Sequence, residues 1–146
     1  MPRRTLDGAA QPFTGWGLVL RRDDIVKLAG FLSLGLGQLG QEQLLDPQMA
    51  NAALQRDPKD TGYLTPDGEF RYNNGVWAWN IAPYAGCKEP AWIPYFSGFG
   101  GISVAMPPNK AVYYYVSDGG VYRWARAVTE TSRLRSVCPE VKPDGG

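Results

Sequence analysis

The fold is decided by Tyr95-Phe96-Ser97-Gly98-Phe99-Gly100-Gly101-Ile102-Ser103-Val104-Ala105-Met106, then Pro107-Pro108-Asn109-Lys110, then Ala111-Val112-Tyr113-Tyr114-Tyr115-Val116-Ser117. Aromatic and β-branched residues fill both flanks, and such residues suit a pleated, half-buried surface. The segment reads as a strand beginning at Tyr95, interrupted by Gly98, Gly100 and Gly101, and continued by Ile102 to Met106. Pro107 to Lys110 then turns the chain and Ala111 to Ser117 returns, which makes a hairpin with a four-residue connection. Upstream, Val76 to Ile81 has the same character and reads as a further strand, followed by a loop rich in Pro and Gly. Downstream, Asp118-Gly119-Gly120 closes the hairpin. Val121, Trp124, Ala125 and Val128 then mark an amphipathic helix reaching about Leu134, with a frayed tail from Pro139.

Ahead of the strands the pattern is helical. Asp23 and Asp24 suit a helix N-terminus, and Ile25, Leu28, Ala29 and Leu32 recur at the spacing of one helix face. Gly35 is a natural stop. Asp46-Pro47 supplies a cap and a first-turn proline for a second helix through about Gln55. Residues 1–20 read as irregular, and residues 56–69, with Pro58, Gly62, Pro66 and Gly68, as an exposed loop. The order predicts an α+β fold: a helical part over about 21–55, antiparallel strands over 70–117 and a C-terminal helix over 121–134.

Composition narrows the function. Apolar residues at 44% and charged residues at 20% are ordinary for a globular chain, so disorder is excluded as the general state. A net charge of +1 from scattered basic residues gives no footprint for nucleic acid or an anionic membrane. The longest apolar stretch, Leu28 to Leu39, is broken by Gly30, Ser33, Gly35, Gly37 and Gln38, so no membrane span is expected. The N-terminal residues carry charge without an apolar run behind them and do not read as a signal peptide. Cys87 and Cys138 permit one disulfide; two free, partly buried thiols are the expectation slightly favoured.

Histidine is absent, which removes Ser-His-Asp and Cys-His catalysis and the usual zinc sites. No cofactor or metal site is expected. The Ser97-Gly98-Phe99-Gly100-Gly101 cluster reads two ways: a bulge or bend serving packing, or an exposed edge that pairs with an extended ligand. Gly35-Leu36-Gly37-Gln38-Leu39-Gly40 matches the dinucleotide pattern formally, but it follows a helix rather than a strand and reads as a chance match. Tyr72-Asn73-Asn74 offers a phenol and an amide, and reads more simply as a turn. Trp77, Trp79, Tyr84, Trp92, Tyr95 and Phe96 can line an apolar cleft or fill a core. Asp23, Asp24 and Glu89 are explained by capping and solvation.

Taken in order, these segments resemble the C-terminal portion of the serine β-lactamase-like, penicillin-binding-type family, which includes class C β-lactamases and related esterases. Gly15-Trp16-Gly17 through Asp23-Asp24-Ile25-Val26-Lys27-Leu28 resembles the family's entry into a helix, and Gly37 to Pro47 its glycine loop before a short helix. Asn74-Gly75-Val76-Trp77-Ala78-Trp79 resembles its Tyr-Gly-x-Gly-Trp strand. Tyr95 to Gly101, Ile102 to Pro107 and Ala111 to Val116 resemble its Ser-Gly-x-Gly-Gly strand, turn and return strand. The match runs from about Asp7 to Leu134. It implies a partial domain of the β-lactamase/transpeptidase-like fold, in a family often periplasmic or secreted.

The resemblance also implies a chemistry. A serine attacks the substrate carbonyl while Lys and Tyr manage its proton, giving an acyl-enzyme that water cleaves. Ser97, Gly98 and Phe99 then carry over as substrate-binding residues, with the Phe99 N–H as one donor of the oxyanion hole. Here Phe96-Ser97-Gly98 stands where Lys-Thr-Gly is usual, which favours an ester or amide over a β-lactam. No Ser-x-x-Lys occurs: Ser132 is followed three residues later by Arg135. Tyr72 lies in the wrong place for the family's Tyr-x-Asn. The resemblance therefore implies no catalytic residue in this chain and a fragment inactive by itself. Its parent would cleave small esters, amides or β-lactams, and an N-terminal half is a possible partner. The strand at Ala111 to Ser117 would lack a neighbour that the family supplies from its N-terminal part, leaving an open edge and an uncovered apolar face. The competing reading is a non-catalytic module that binds peptide or cell-wall fragments along the Ser97–Gly101 edge.

Overall fold

The computed structural model describes residues 21–98, 101–117, 119–120 and 124–139. The first helix, α1 (Arg22–Ser33), starts where the paired aspartates direct it, and the Asp24 carboxylate accepts a hydrogen bond from the Arg21 N–H at 3.0 Å. Its buried line runs through Ala29 and Ser33 with Leu32 half-buried, whereas Leu28 is 46% exposed. The apolar stripe expected at Ile25, Leu28, Ala29 and Leu32 is thus rotated off Leu28. The Gly35–Gly40 segment leads from α1 into a two-residue hairpin, β1 (Gln38–Leu39) with β2 (Glu42–Gln43), so it opens no helix and has no dinucleotide-binding context.

Helix α2 (Pro47–Ala53) is capped as its sequence requires: the Asp46 carboxylate accepts from the Gln48 N–H at 2.7 Å and the Met49 N–H at 3.4 Å. It ends two residues before the expected Gln55, which adopts a left-handed φ of 59°. The loop expected over 56–69 contains a short strand, β3 (Tyr63–Leu64). It pairs with β4 (Phe70–Asn73), which turns through Asn74 and Gly75, both at positive φ, into β5 (Val76–Asn80). Positive φ at both central residues is what a two-residue hairpin turn demands, and Asn-Gly meets it.

A one-turn helix, α3 (Ala82–Ala85), interrupts the loop expected after β5. The Asn80 side-chain oxygen holds it by accepting from the N–H groups of Ala82 and Ala91. The chain then forms β6 (Trp92–Gly98), β7 (Ile102–Ala105), β8 (Tyr113–Val116) and α4 (Ala125–Ser132). The sheet is a six-stranded antiparallel meander in the order β3-β4-β5-β6-β7-β8, giving an α+β fold.

Two corrections fall in the decisive stretch. Tyr95 to Met106 is not one glycine-interrupted strand; β6 ends at Gly98, β7 begins after Gly101, and the two are antiparallel neighbours. The β7–β8 connection covers 106–112 rather than four residues. Met106 donates its N–H to the Pro94 carbonyl instead, Pro107 and Pro108 have no N–H, and Asn109 bonds the Ala111 N–H and the Arg135 carbonyl.

Alternation along the strands gives the sheet two apolar faces. One carries Trp79, Ile93, Tyr95 and Ala105, which pack around Trp124, Val128 and Val137. Trp124, 1% exposed, stands edge-on to Trp79 at 5.1 Å and Tyr95 at 5.0 Å. The other face carries Val76, with Phe96 and Val104 half-buried, against Ala29 of α1 and Leu54 beyond α2. Helical elements therefore pack on both faces, and the apolar face expected to lie uncovered is not found among the described residues. A disulfide joins Cys87, after α3, to Cys138, after α4, with Cα atoms 5.3 Å apart. The expectation of two free thiols is overturned, because folding brings the ends of two helices together that lie far apart in sequence.

Among the described residues, β8 has β7 as its single strand neighbour. Its four residues include no proline and no charge, the usual blunting devices of an edge strand. No helix among the described residues is long and apolar enough to cross a membrane. The expected irregular segment 1–20, including Gly15-Trp16-Gly17, lies outside the described residues, as do Val121 at the start of the expected C-terminal helix and most of the tail.

Candidate functional site

Ser97 and Gly98 end β6, and their two sides differ. Toward β7 the ladder continues through Ser97↔Ser103 to Gly98↔Ile102. Toward β5 it stops at Tyr95↔Trp77, because β5 begins only at Val76, directly after the Asn74-Gly75 turn. Beyond Phe96, β6 therefore has a strand on one side only among the described residues. An unpaired strand side of this kind can accept an extended chain through main-chain hydrogen bonds.

The glycines have local explanations as well. A Cβ on Gly98 would stand 3.3 Å from the Ile102 Cβ, so the close approach of β7 favours glycine there. Gly101 has φ 86°, which an L-residue adopts only with strain. Phe99, expected to supply an oxyanion-hole N–H, lies outside the described residues. Of the three expected binding residues, Ser97 and Gly98 are thus adjacent on the open strand end.

Two cavities flank this segment, one on each face. On the Trp124 face, a cavity of about 370 Å³ is lined by Thr65, Phe70, Trp77, Tyr95 and Ser97. On the opposite face, one of about 230 Å³ lies between Leu32, Met49, Ala53 and Leu54 on the helical side and Val76 and Phe96 on the sheet. The six candidate cleft aromatics are divided accordingly. Trp77 and Tyr95 line the first cavity and Phe96 the second, while Trp79 is buried in the core with Tyr84 edge-on to it at 5.6 Å. Trp92 lies under the Arg71 guanidinium at 4.1 Å, a cation–π contact that packs rather than recognises.

The groups able to do chemistry are few. Burial pushes the Tyr95 phenol up to about 12, so it keeps its proton at neutral pH and is no base. Burial also raises Tyr113, helped by neighbouring Tyr115. Tyr72 leans on Trp77 with ring centres 4.8 Å apart. Asn73 is a clamp: its buried amide donates to the Ala52 carbonyl and to the main chain and carboxylate of Asp60. Tyr72-Asn73-Asn74 is therefore strand, clamp and turn.

Ser132 donates its hydroxyl to the Thr129 carbonyl at 2.7 Å at the end of α4. Sequence reasoning missed Ser103, which is fully buried opposite Ser97 with an unpartnered hydroxyl; its only signal was a polar residue in an apolar strand. Among the described residues no cysteine is free, and no cluster of His, Cys, Asp or Glu could hold a metal. The arrangement can bind an extended or apolar ligand; among the described residues no nucleophile stands hydrogen-bonded to a base. Comparison with protein-family models, curated proteins and solved structures finds no match.

Proposed function

We propose that this chain is the nucleophile-lacking C-terminal portion of a serine hydrolase of the β-lactamase-like, penicillin-binding type, inactive alone, whose whole form cleaves small esters, amides or β-lactams through an acyl-enzyme. The observation that carries the reading is the open end of β6: Ser97 and Gly98 run past the β5 ladder and offer one side of their backbone to a ligand. In such an enzyme this edge orients the substrate carbonyl, and a main-chain donor beside it stabilises the oxyanion by about 3–4 kcal/mol. The missing Lys before Ser97-Gly98 favours an ester or amide, since no ammonium is present there to meet a β-lactam carboxylate.

The test is reconstitution. The reading frame immediately upstream should encode Ser-x-x-Lys, and its product mixed with this chain should hydrolyse a chromogenic ester that neither hydrolyses alone. Absence of such a frame, or a mixture as inactive as its parts, refutes the proposal. A second reading, a stand-alone binding module, is favoured by the two covered sheet faces and the disulfide, which make the chain coherent by itself. Saturable binding of an extended peptide to the Ser97–Gly98 edge, together with failed reconstitution, would favour it.

A further inference from the structure

We propose that the cavity beneath Phe96 is a binding site for a small apolar group, either one aromatic ring or a short alkyl chain. Its assignment to a group of the substrate rests on the hydrolase reading; the site itself does not. The walls are hydrocarbon from three directions: Leu32 of α1, Met49 and Ala53 of α2, and Val76 and Phe96 of the sheet. The polar residues at its rim are Asp46 and Asn74. Asp46 is already committed, because its carboxylate caps α2. Apart from these two rim residues the lining is hydrocarbon, so a polar group buried against Leu32, Leu54, Val76 and Phe96 would lose its hydration without compensation.

Size sets the ligand. An apolar cavity of about 150 Å³ is enough for benzene, and this one, at about 230 Å³, admits a ring with a short substituent. Position gives it meaning. The Phe96 ring walls the cavity while its backbone leads directly into Ser97-Gly98, about 3.3 Å further along the strand. A ligand paired along the open strand end could place its apolar group in the cavity within one residue of the edge. The site thus selects ligands with a ring or short chain next to the carbonyl, and disfavours small polar ones.

The experiment uses toluene and the purified 146-residue chain, read by methyl NMR. Toluene should shift the methyls of Leu32, Met49, Leu54 and Val76 saturably and leave those of Ile93 and Val128, on the opposite face, in place. Ala53→Leu fills the cavity and should weaken binding at least tenfold. Met49→Phe, at a residue 60% exposed, blocks the mouth without burdening the core and should do the same if Ala53→Leu fails to fold. The absence of saturable shifts, or toluene binding unchanged in a folded blocking variant, overturns the site. Failure of the hydrolase reading shows separately, as failed reconstitution of ester hydrolysis with toluene binding intact; the site would then stand and its link to a substrate would fall.

Discussion

Reduction of Cys87–Cys138 should cost this chain much of its stability. The bridge closes a loop with a sequence separation of 51, which spans β6, β7, β8 and α4. Confining a loop of that length in the unfolded chain is worth about 4 kcal/mol at 25 °C by the chain-entropy relation. Domains of this size are stable by only about 5–15 kcal/mol in total. With a urea dependence of about 2 kcal/mol per molar, the midpoint should fall by about 2 M. The assay is urea unfolding of the oxidised chain, the dithiothreitol-reduced chain and the Cys87→Ser/Cys138→Ser variant, followed by tryptophan fluorescence. Trp124 reports on the affected core directly, since the bridged segment includes the buried Val137. Thiol titration of the native protein should find no reactive thiol, and two after reduction. Equal midpoints for all three forms, or two titratable thiols in the native chain, would refute the reasoning.

Three further outcomes are expected. Asn73→Ala should lower stability by about 1–2 kcal/mol, because it removes the amide that ties Ala52 and the Asp60 loop to β4, although the Ala52 carbonyl keeps the Gln55 N–H; thermal unfolding measures it. Stability should decline as pH rises above 10 and level off near pH 12. The unfolded chain loses its Tyr95 proton near pH 10 while the folded chain holds it to about 12, so fewer protons are bound by the unfolded state across that window. Urea midpoints across that range check it. Val116→Lys, at an edge-strand residue 62% exposed, should reduce self-association in sedimentation velocity without lowering the unfolding midpoint.

The strongly patterned elements were legible in the sequence. Asp46-Pro47 announces α2 because a carboxylate cap and a first-turn proline act locally, and Val76 to Ile81 announces β5 because its neighbours on both sides are covered. What failed depended on which segments pair, which no single segment announces. The two-residue strands at Gln38, Glu42 and Tyr63 are too short for any periodicity and exist through pairing alone. The glycines after Ser97 read as an interruption because glycine inside a strand and glycine between strands look alike until the partner strand is known. The disulfide depended on where α3 and α4 end in space. At the candidate site, Ser97 and Gly98 were legible as an edge; the two flanking cavities were not, since their walls come from α1, α2, three strands and the loops between them. Ser103 stayed hidden because a lone serine in a strand carries no signal of burial.

Whether this chain bears a substrate edge without a nucleophile is decided by an activity and labelling experiment. The purified chain is incubated with a chromogenic short-chain ester and a chromogenic β-lactam, and the same sample is treated with a serine-reactive fluorophosphonate probe. Neither substrate should be turned over, and no serine should be labelled. Turnover accompanied by a labelled serine would overturn the fragment reading and place the nucleophile at a serine outside the Ser97–Gly98 edge.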